Sequence, residues 1–414
     1  MSGLRREHCG MTLNPGHLKL ELALAGVELD ASARMRPELT AAGEHCGRDA
    51  IELLLPEDVV VDAPIDGARH RSCDIAPYHL SCAEEQFILR RRAEQVEVRV
   101  IPAPQFYRNR TTQGALMRDI GTVFGSFIAL SPVGGCGFSL HHGPCSLCAG
   151  SSQHPVSPPI AVADVVDTVR AAFAEGAVEF VLFGGGPVDS EDGGVTALEP
   201  YVRAVKRHFD TFVAIQVHPP RHNRWIDRTY AMGVDALCYS VEIYDAERLQ
   251  RLCPGRIARI GRDRYYDALA HAAAIFPSGT VWSDLIVGIE PTAATMRGID
   301  DLSRAGVLPV LSLAAPETGA STVAMPPMEE IARVFAHLFH AVRQTKINMG
   351  WVRDLSFAVT PFEARFFASE DARLSVTQQF YRSKLGGVTA RNLARLRRRL
   401  RVRTVSDSFD SSHL

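Results

Sequence analysis

The chain has 414 residues, of which 46% are hydrophobic and 22% charged, with a formal net charge of −2. That length exceeds one minimal domain and fits a barrel-sized domain with additions at both ends. The near-neutral balance makes no electrostatic case for a nucleic-acid or membrane partner. Met1 to Gly10 lacks an apolar signal-peptide core, and no apolar run is long enough to span a bilayer, so the expected location is cytoplasmic. An odd count of nine cysteines without a secretion signal argues against a disulfide framework.

Residues 1–120 read as a small accessory α/β region. Ile51–Leu55 and Val59–Val61 are short apolar runs split by Pro56, and Val96, Val98 and Val100 alternate with Glu97 and Arg99 as in a half-buried strand. From residue 121 to 350, apolar strand candidates alternate with helical stretches. The expected strands are Val123–Leu130, Val178–Phe183, Phe212–Val217, Ala236–Val241, Thr280–Val287 and Leu308–Leu313. Helical spacing follows each one, for example Val162, Val165, Val166, Val169 and Phe173 after the first, and Ile331, Val334, Phe335, Leu338 and Val342 after the sixth. Six strand–helix units imply a parallel sheet with right-handed crossovers, either open or closed part-way into a barrel. In both cases the chemistry belongs at the C-terminal ends of the strands. Residues 351–414 form a helical tail, with Leu393, Leu396 and Leu400 on one face of an arginine-rich helix that faces water.

Three of the nine cysteines cluster in Cys136-Gly-Phe-Ser-Leu-His-His-Gly-Pro-Cys145-Ser-Leu-Cys148, directly after the first strand of the repeating units. Three thiolates can ligate three irons of a 4Fe–4S cluster and leave the fourth open. The same thiols with His141 or His142 could instead hold a structural zinc. A redox dithiol at Cys145 and Cys148 fits less well, because the pair does not open a helix after a thioredoxin-like strand. Cys238 and Cys253 read as buried apolar thiols, and Cys9, Cys46, Cys73 and Cys82 have no ligand-like spacing.

Further motifs recur at strand ends. Gly184-Gly185-Gly186-Pro187 follows the second strand, where glycine lets the backbone approach a ligand; no Gly-Lys-Ser/Thr follows, so it is not a phosphate loop. Ser240-Val241-Glu242 closes the fourth strand, and Arg256, Arg262 and Arg264 come soon after. Ile286-Val287-Gly288-Ile289 ends the fifth strand, and Leu313-Ala-Ala-Pro316-Glu317-Thr318 ends the sixth.

In this order the motifs resemble the radical S-adenosylmethionine (SAM) superfamily, within it the biotin synthase-like group, as a variant with a longer first cysteine gap. Pro104-Gln-Phe106-Tyr107 and Thr111-Thr-Gln-Gly114 match a run that precedes the cluster in one such family, and the likeness covers residues 95–320. The resemblance implies an α/β partial (β/α)6 barrel with a small N-terminal α/β domain and a helical C-terminal tail. It implies a 4Fe–4S cluster on Cys136, Cys145 and Cys148, and a 5′-deoxyadenosyl radical that takes hydrogen from a small molecule. It assigns the SAM ammonium to the backbone of Gly184, Gly185 and Gly186, with Gly186 standing where relatives carry an acidic residue. Ser240 and Glu242 fall to the amino group or ribose, and Arg264, or failing it Arg262, to the carboxylate. Leu147 and Gly288 fall beside the adenine, and Glu317 and Thr318 on the substrate side. A flavodoxin or ferredoxin would donate the electron. The alternatives are a noncatalytic zinc-binding α/β module and a zinc-dependent barrel hydrolase, for which His218 is the clear histidine candidate.

Overall fold

A computed structural model describes residues 13–40, 50–65, 75–134, 138, 145–147, 158–185, 190–314, 325–349, 358–368, 389 and 396. Cys136, Cys148, Gly186, Glu317 and Thr318 lie outside the described residues, as does most of the arginine-rich tail; Thr389 and Leu396 within that tail are helical.

The first helix, α1 (Pro15–Ala25), is capped by Asn14, whose side chain accepts from the backbone N–H groups of Gly16 and His17. It has apolar residues on more than one face, and the structure uses both. Leu18 and Leu22 join the core of an N-terminal sheet, while Leu20 and Leu24 join the larger core beside it. The chain continues through β1 (Val27–Leu29), α2 (Ala31–Arg34), α3 (Pro37–Thr40), β2 (Ala50–Leu55), β3 (Val59–Pro64), β4 (Tyr78–Ala83), β5 (Gln86–Arg91) and β6 (Glu94–Ile101). These strands form one sheet in the order β1-β4-β5-β6-β2-β3, antiparallel except for the β1–β4 pair.

The second sheet holds β7 (Gly121–Phe124), β8 (Phe127–Leu130), β9 (Phe180–Gly184), β10 (Phe212–Gln216), β11 (Ala236–Cys238), β12 (Val281–Val287) and β13 (Leu308–Leu313), in sequential order. The single strand expected over Val123–Leu130 is instead a hairpin, with Val123 opposite Ile128 and Phe124 opposite Phe127. Gly125 turns the chain at φ 54, the left-handed conformation a two-residue hairpin loop requires. The apolar run hid this turn because it stays apolar on both sides of Gly125-Ser126.

From β8 to β13 every pairing is parallel. The crossovers carry α4 (Val162–Glu175), α5 (Val195–His208), α6 (Arg224–Ala231), then α7 (Ala246–Leu252), α8 (Pro254–Arg259) and α9 (Arg262–Ile275) together, then α10 (Thr292–Arg304); α11 (Met328–Gln344) follows β13. A doubly wound sheet reverses its strand order at a switch point, and this one does not. Right-handed crossovers in constant order put all the helices on one face, so the other face must curl inward on itself. On that inner face, Gln216 on β10 donates through Nε2 to Asp284 Oδ2 on β12 at 2.9 Å, across the intervening β11. The fold is therefore α/β, a partial (β/α)6 barrel with an added antiparallel strand.

Close backbone approaches set the helical layer. Gly298 brings α10 onto the sheet: a Cβ there would sit 3.0 Å from Tyr244 Cβ and 3.2 Å from Leu285 Cδ1. Residues 358–368 return to the barrel edge, where Val359 pairs with Leu311 of β13. The buried Lys19 Nζ of α1 donates to Glu363 Oε1 and to the Ala358 carbonyl, both at 2.7 Å, tying that segment to the start of the chain.

Candidate functional site at the C-terminal mouth of the barrel

Strand alternation sorts the barrel residues. Leu285 faces α10, so Asp284 and Ile286 face the interior. By register and by the hydrogen bonds below, Gln216, Cys238 and Ser240 share that inner face. The fourth and fifth strands therefore carry polar groups inward, although their apolar runs suggested burial on both faces.

At the mouth, the chain leaves β11 through Glu242, which has φ 65, an unusual conformation for a side-chain-bearing residue. Its backbone is held by Glu242 N–H donating to the Asp284 carbonyl at 2.7 Å and Ile286 N–H donating to the Glu242 carbonyl at 2.9 Å. Its carboxylate faces Arg256 of α8. Arg256 Nη1 donates to Glu242 Oε2 at 2.6 Å, and Nη2 donates to the Val241 carbonyl at 3.0 Å and to the Ser240 carbonyl. The guanidinium lies over the Tyr265 ring, 4.4 Å from its centroid. Burial opposes its charge, but Tyr265 and Glu242 outweigh burial and push its pKa up. Arg256 Nε has no partner among the described residues.

Phe138 and residues 145–147 lie against this cluster. Ser146 N–H donates to the Leu252 carbonyl at 2.8 Å. Phe138, Cys145, Ile243, Leu249, Leu252, Cys253 and Ile289 make one apolar cluster, with Leu147, Ile286 and Ala314 packed against it. Leu147 is thus brought to the strand-end residues of the Gly288 motif. Gly288 itself has φ 99, and a Cβ there would meet Met325 Sδ at 2.9 Å.

Cys145 and Cys253 are neighbours. The Cys253 thiol hydrogen-bonds Cys145 and lowers its pKa, with Arg256 acting the same way against burial; the same bond and burial push Cys253 up. A thiol kept toward its thiolate form beside a guanidinium fits a metal ligand. Among the described residues no three or more His, Cys, Asp and Glu side chains gather as a metal-binding group; Cys136 and Cys148 fall outside them.

The other expected residues sit around the same opening. Gly184 pairs in register with Gln216, and Gly185 N–H donates to the Gln216 carbonyl at 3.1 Å. A Cβ on Gly184 would stand 3.2 Å from Ser131 Oγ. Arg264 Nε donates to the Pro220 carbonyl at 2.7 Å, and its Nη2 has no partner among the described residues. Arg262 Nη2 bonds the Tyr244 carbonyl at 3.2 Å, its guanidinium between the Tyr244 and Tyr266 rings. His218 Nδ1 lies 2.5 Å from the Tyr265 hydroxyl, with Phe138 edge-on to its ring. Burial, and then Arg256, push its pKa down to about 3, so it is neutral.

The sequence motifs give no role to Tyr265 or Asp284, and they name Arg256 beside Arg262 and Arg264 without choosing it. An available signal for Asp284 was a lone carboxylate inside an apolar strand run, which is costly unless the site needs it. Nothing local in the sequence separated Arg256 from its neighbours Arg262 and Arg264.

Fold and site together define an α/β partial barrel whose mouth gathers a thiol pair, a glutamate–arginine pair and a polar interior. No protein-family profile matches the chain. The bacteriochlorophyllide c C-7(1)-hydroxylase of Chlorobaculum limnaeum is 23% identical over 116 residues, which are 28% of this chain and 29% of that protein. Among solved structures, methylornithine synthase (PylB) aligns with 52% of this chain and 63% of its own, at 16% identity and a TM-score of 0.41. The cobalamin-dependent S-adenosylmethionine radical enzyme OxsB aligns with 56% of this chain and 38% of its own, at 12% identity and a TM-score of 0.32. The chain thus spans less than a third of the hydroxylase and less than two thirds of either structure. No helix among the described residues is long and apolar enough to cross a membrane.

Proposed function

We propose that this protein is a radical SAM enzyme that binds a 4Fe–4S cluster through Cys136, Cys145 and Cys148 and abstracts hydrogen from a small molecule. The observation that carries the reading is the position of Cys145, held over the C-terminal mouth of a parallel partial barrel against Glu242 and Arg256. Thiol ligands in a loop after the first parallel strand put a cluster where the βα loops converge. When bound, the cluster and SAM supply an electron that cleaves the sulfonium and a 5′-deoxyadenosyl radical. The residues of the chain bind and orient. Gly184, Gly185 and Gly186 offer backbone to the SAM ammonium, with Glu242 as its countercharge and Ser240 beside it. Arg264, whose Nη2 has no partner among the described residues, offers a charge-assisted contact to the carboxylate. Leu147 and Gly288 form an apolar face for adenine. Glu317 and Thr318 fall on the substrate side, and a flavodoxin or ferredoxin serves as electron donor.

Anaerobic reconstitution followed by reduction tests the reading. The expected result is about four irons and four sulfides per chain and slow release of 5′-deoxyadenosine and methionine from SAM. Arg264→Ala keeps the iron and weakens SAM roughly tenfold or more, the loss of one charge-assisted bond. Stoichiometric zinc with no cluster on reconstitution overturns the assignment. Methylthioadenosine in place of 5′-deoxyadenosine keeps the cofactor and replaces the mechanism.

A further inference from the structure

The barrel interior contains a carboxylate, Asp284, with no countercharge among the described residues. Asp284 Oδ2 accepts from Gln216 Nε2 at 2.9 Å, from Ser240 Oγ at 2.7 Å and from Cys238 Sγ at 3.5 Å. Gln216 Nε2 also reaches Ser240 Oγ at 3.0 Å, so the donors are braced against one another. All three donors converge on one oxygen. Oδ1 takes no bond among the described residues, and part of the Asp284 surface stays open. One carboxylate oxygen on the inner face is thus left without a donor among the described residues.

No cation among the described residues pairs with it. Arg256 is committed to Glu242 and to two backbone carbonyls. The charged neighbour with influence is Glu242, of the same sign. Burial first, and then Glu242, raise the pKa of Asp284 to about 6, against the bonds from Ser240 and Cys238. β10 contributes neutral Gln216, and β13 contributes Val310 in register with Asp284. Cys238, whose thiol burial holds protonated, ends β11, and Ser240 lies just beyond it. Three donors organise the carboxylate, and nothing described neutralises it. A buried charge so arranged is stabilised by a ligand that brings the opposite charge.

We propose that the substrate of this barrel carries a protonated amine, which docks on Asp284 Oδ1. The proposal rests on reading the barrel interior as the site of reaction. The apolar side chain of Ile286, on the same face and partly exposed, suits an aliphatic body behind the ammonium. Asp284 then sets the depth at which a carbon–hydrogen bond meets the mouth, and an alcohol of the same shape binds less well for want of charge.

n-Butylammonium and n-butanol are the probes, titrated into the full-length protein without turnover and followed by thermal shift and calorimetry. n-Butylammonium is expected to bind saturably and n-butanol at least tenfold more weakly. Asp284→Asn is expected to remove that preference. Should this variant fail to fold, the wild-type protein supplies a second readout. Ionisation of a carboxylate with pKa about 6 rises roughly tenfold from pH 5 to pH 7, and n-butylammonium affinity is expected to rise with it while n-butanol affinity stays flat. Equal affinity for the two probes, or amine binding independent of pH and of Asp284, overturns the proposal. Because nothing is turned over, failure here is separate from failure to assemble a cluster or cleave SAM.

Discussion

Arg256 and Glu242 meet at 2.6 Å across the excursion that runs from the end of β11 through α7 into α8. Arg256 is 2% exposed, so its charge depends on that carboxylate and on the Ser240 and Val241 carbonyls. Arg256→Met leaves Glu242 facing apolar groups, with partial relief from solvent because its side chain is 31% exposed. The expected loss is about 2–4 kcal/mol, below the full cost of orphaning a wholly buried charge. Arg256→Lys keeps the charge but loses the planar fork and falls between wild type and Arg256→Met. Urea denaturation ranks the three, and equal stabilities refute the pairing.

Cys136, Cys145 and Cys148 are expected to act as a set. Serine at any one of them abolishes the cluster, because a missing thiolate cannot be supplied by the short, hard hydroxyl. Serine at Cys46 or Cys82 leaves iron and sulfide unchanged. Metal and sulfide analysis after anaerobic reconstitution decides this, and a cluster that survives in Cys145→Ser shows that the ligand set is another.

Lys19 and Glu363 form a buried pair, 3% and 2% exposed, between chain segments 344 residues apart in sequence. Lys19→Met alone is expected to cost about 3–5 kcal/mol, since Glu363 is left uncompensated. Adding Glu363→Gln, which keeps an acceptor for Thr360, recovers most of that loss. Chemical denaturation of both variants measures the difference. If the double variant is no more stable than Lys19→Met, the penalty does not come from the unpaired charge.

Two buried groups pull the stability profile in opposite directions. Asp284 has its pKa raised from 3.8 to about 6, so between those values the folded chain keeps a proton that the unfolded chain releases. Its contribution is present at low pH and is lost as pH rises toward 6. His218 has its pKa lowered from 6.5 to about 3, so it stays neutral when folded and charges when unfolded. Its contribution is lost as pH falls. Each acts with a slope of about 1.4 kcal/mol per pH unit, and the two offset each other between about pH 4 and 6. Asp284→Asn removes one of them. On going from pH 6 to pH 4 the variant is expected to lose about 2–3 kcal/mol more stability than wild type, measured by urea unfolding at the two pH values. Identical losses would mean that Asp284 titrates at its ordinary value.

The expected βα units match the structure from α4 onward because burial period and strand length are local properties. Val162 to Phe173 repeats at helical spacing, and Leu308–Leu313 is a strand of that same extent in the fold. The hairpin at Gly125 was less legible, since both of its strands are apolar and the turn is only two residues long. The inner face was less legible still. In Val281–Val287 the alternation of Ser283 and Asp284 among apolar residues does not say which side turns inward.

The chain's sequence alone determined the strand–helix alternation, the two-residue and eight-residue cysteine gaps, and the glycines at strand ends, because spacing and residue type act over a few neighbours. Only the tertiary structure decided which arginine stands beside Glu242, that Cys253 meets Cys145, and that Gln216, Ser240 and Cys238 converge on Asp284. The physical reason is curvature. Constant strand order with right-handed crossovers rolls the sheet, and side chains from strands that are not neighbours then share an interior whose contacts no sequence spacing encodes.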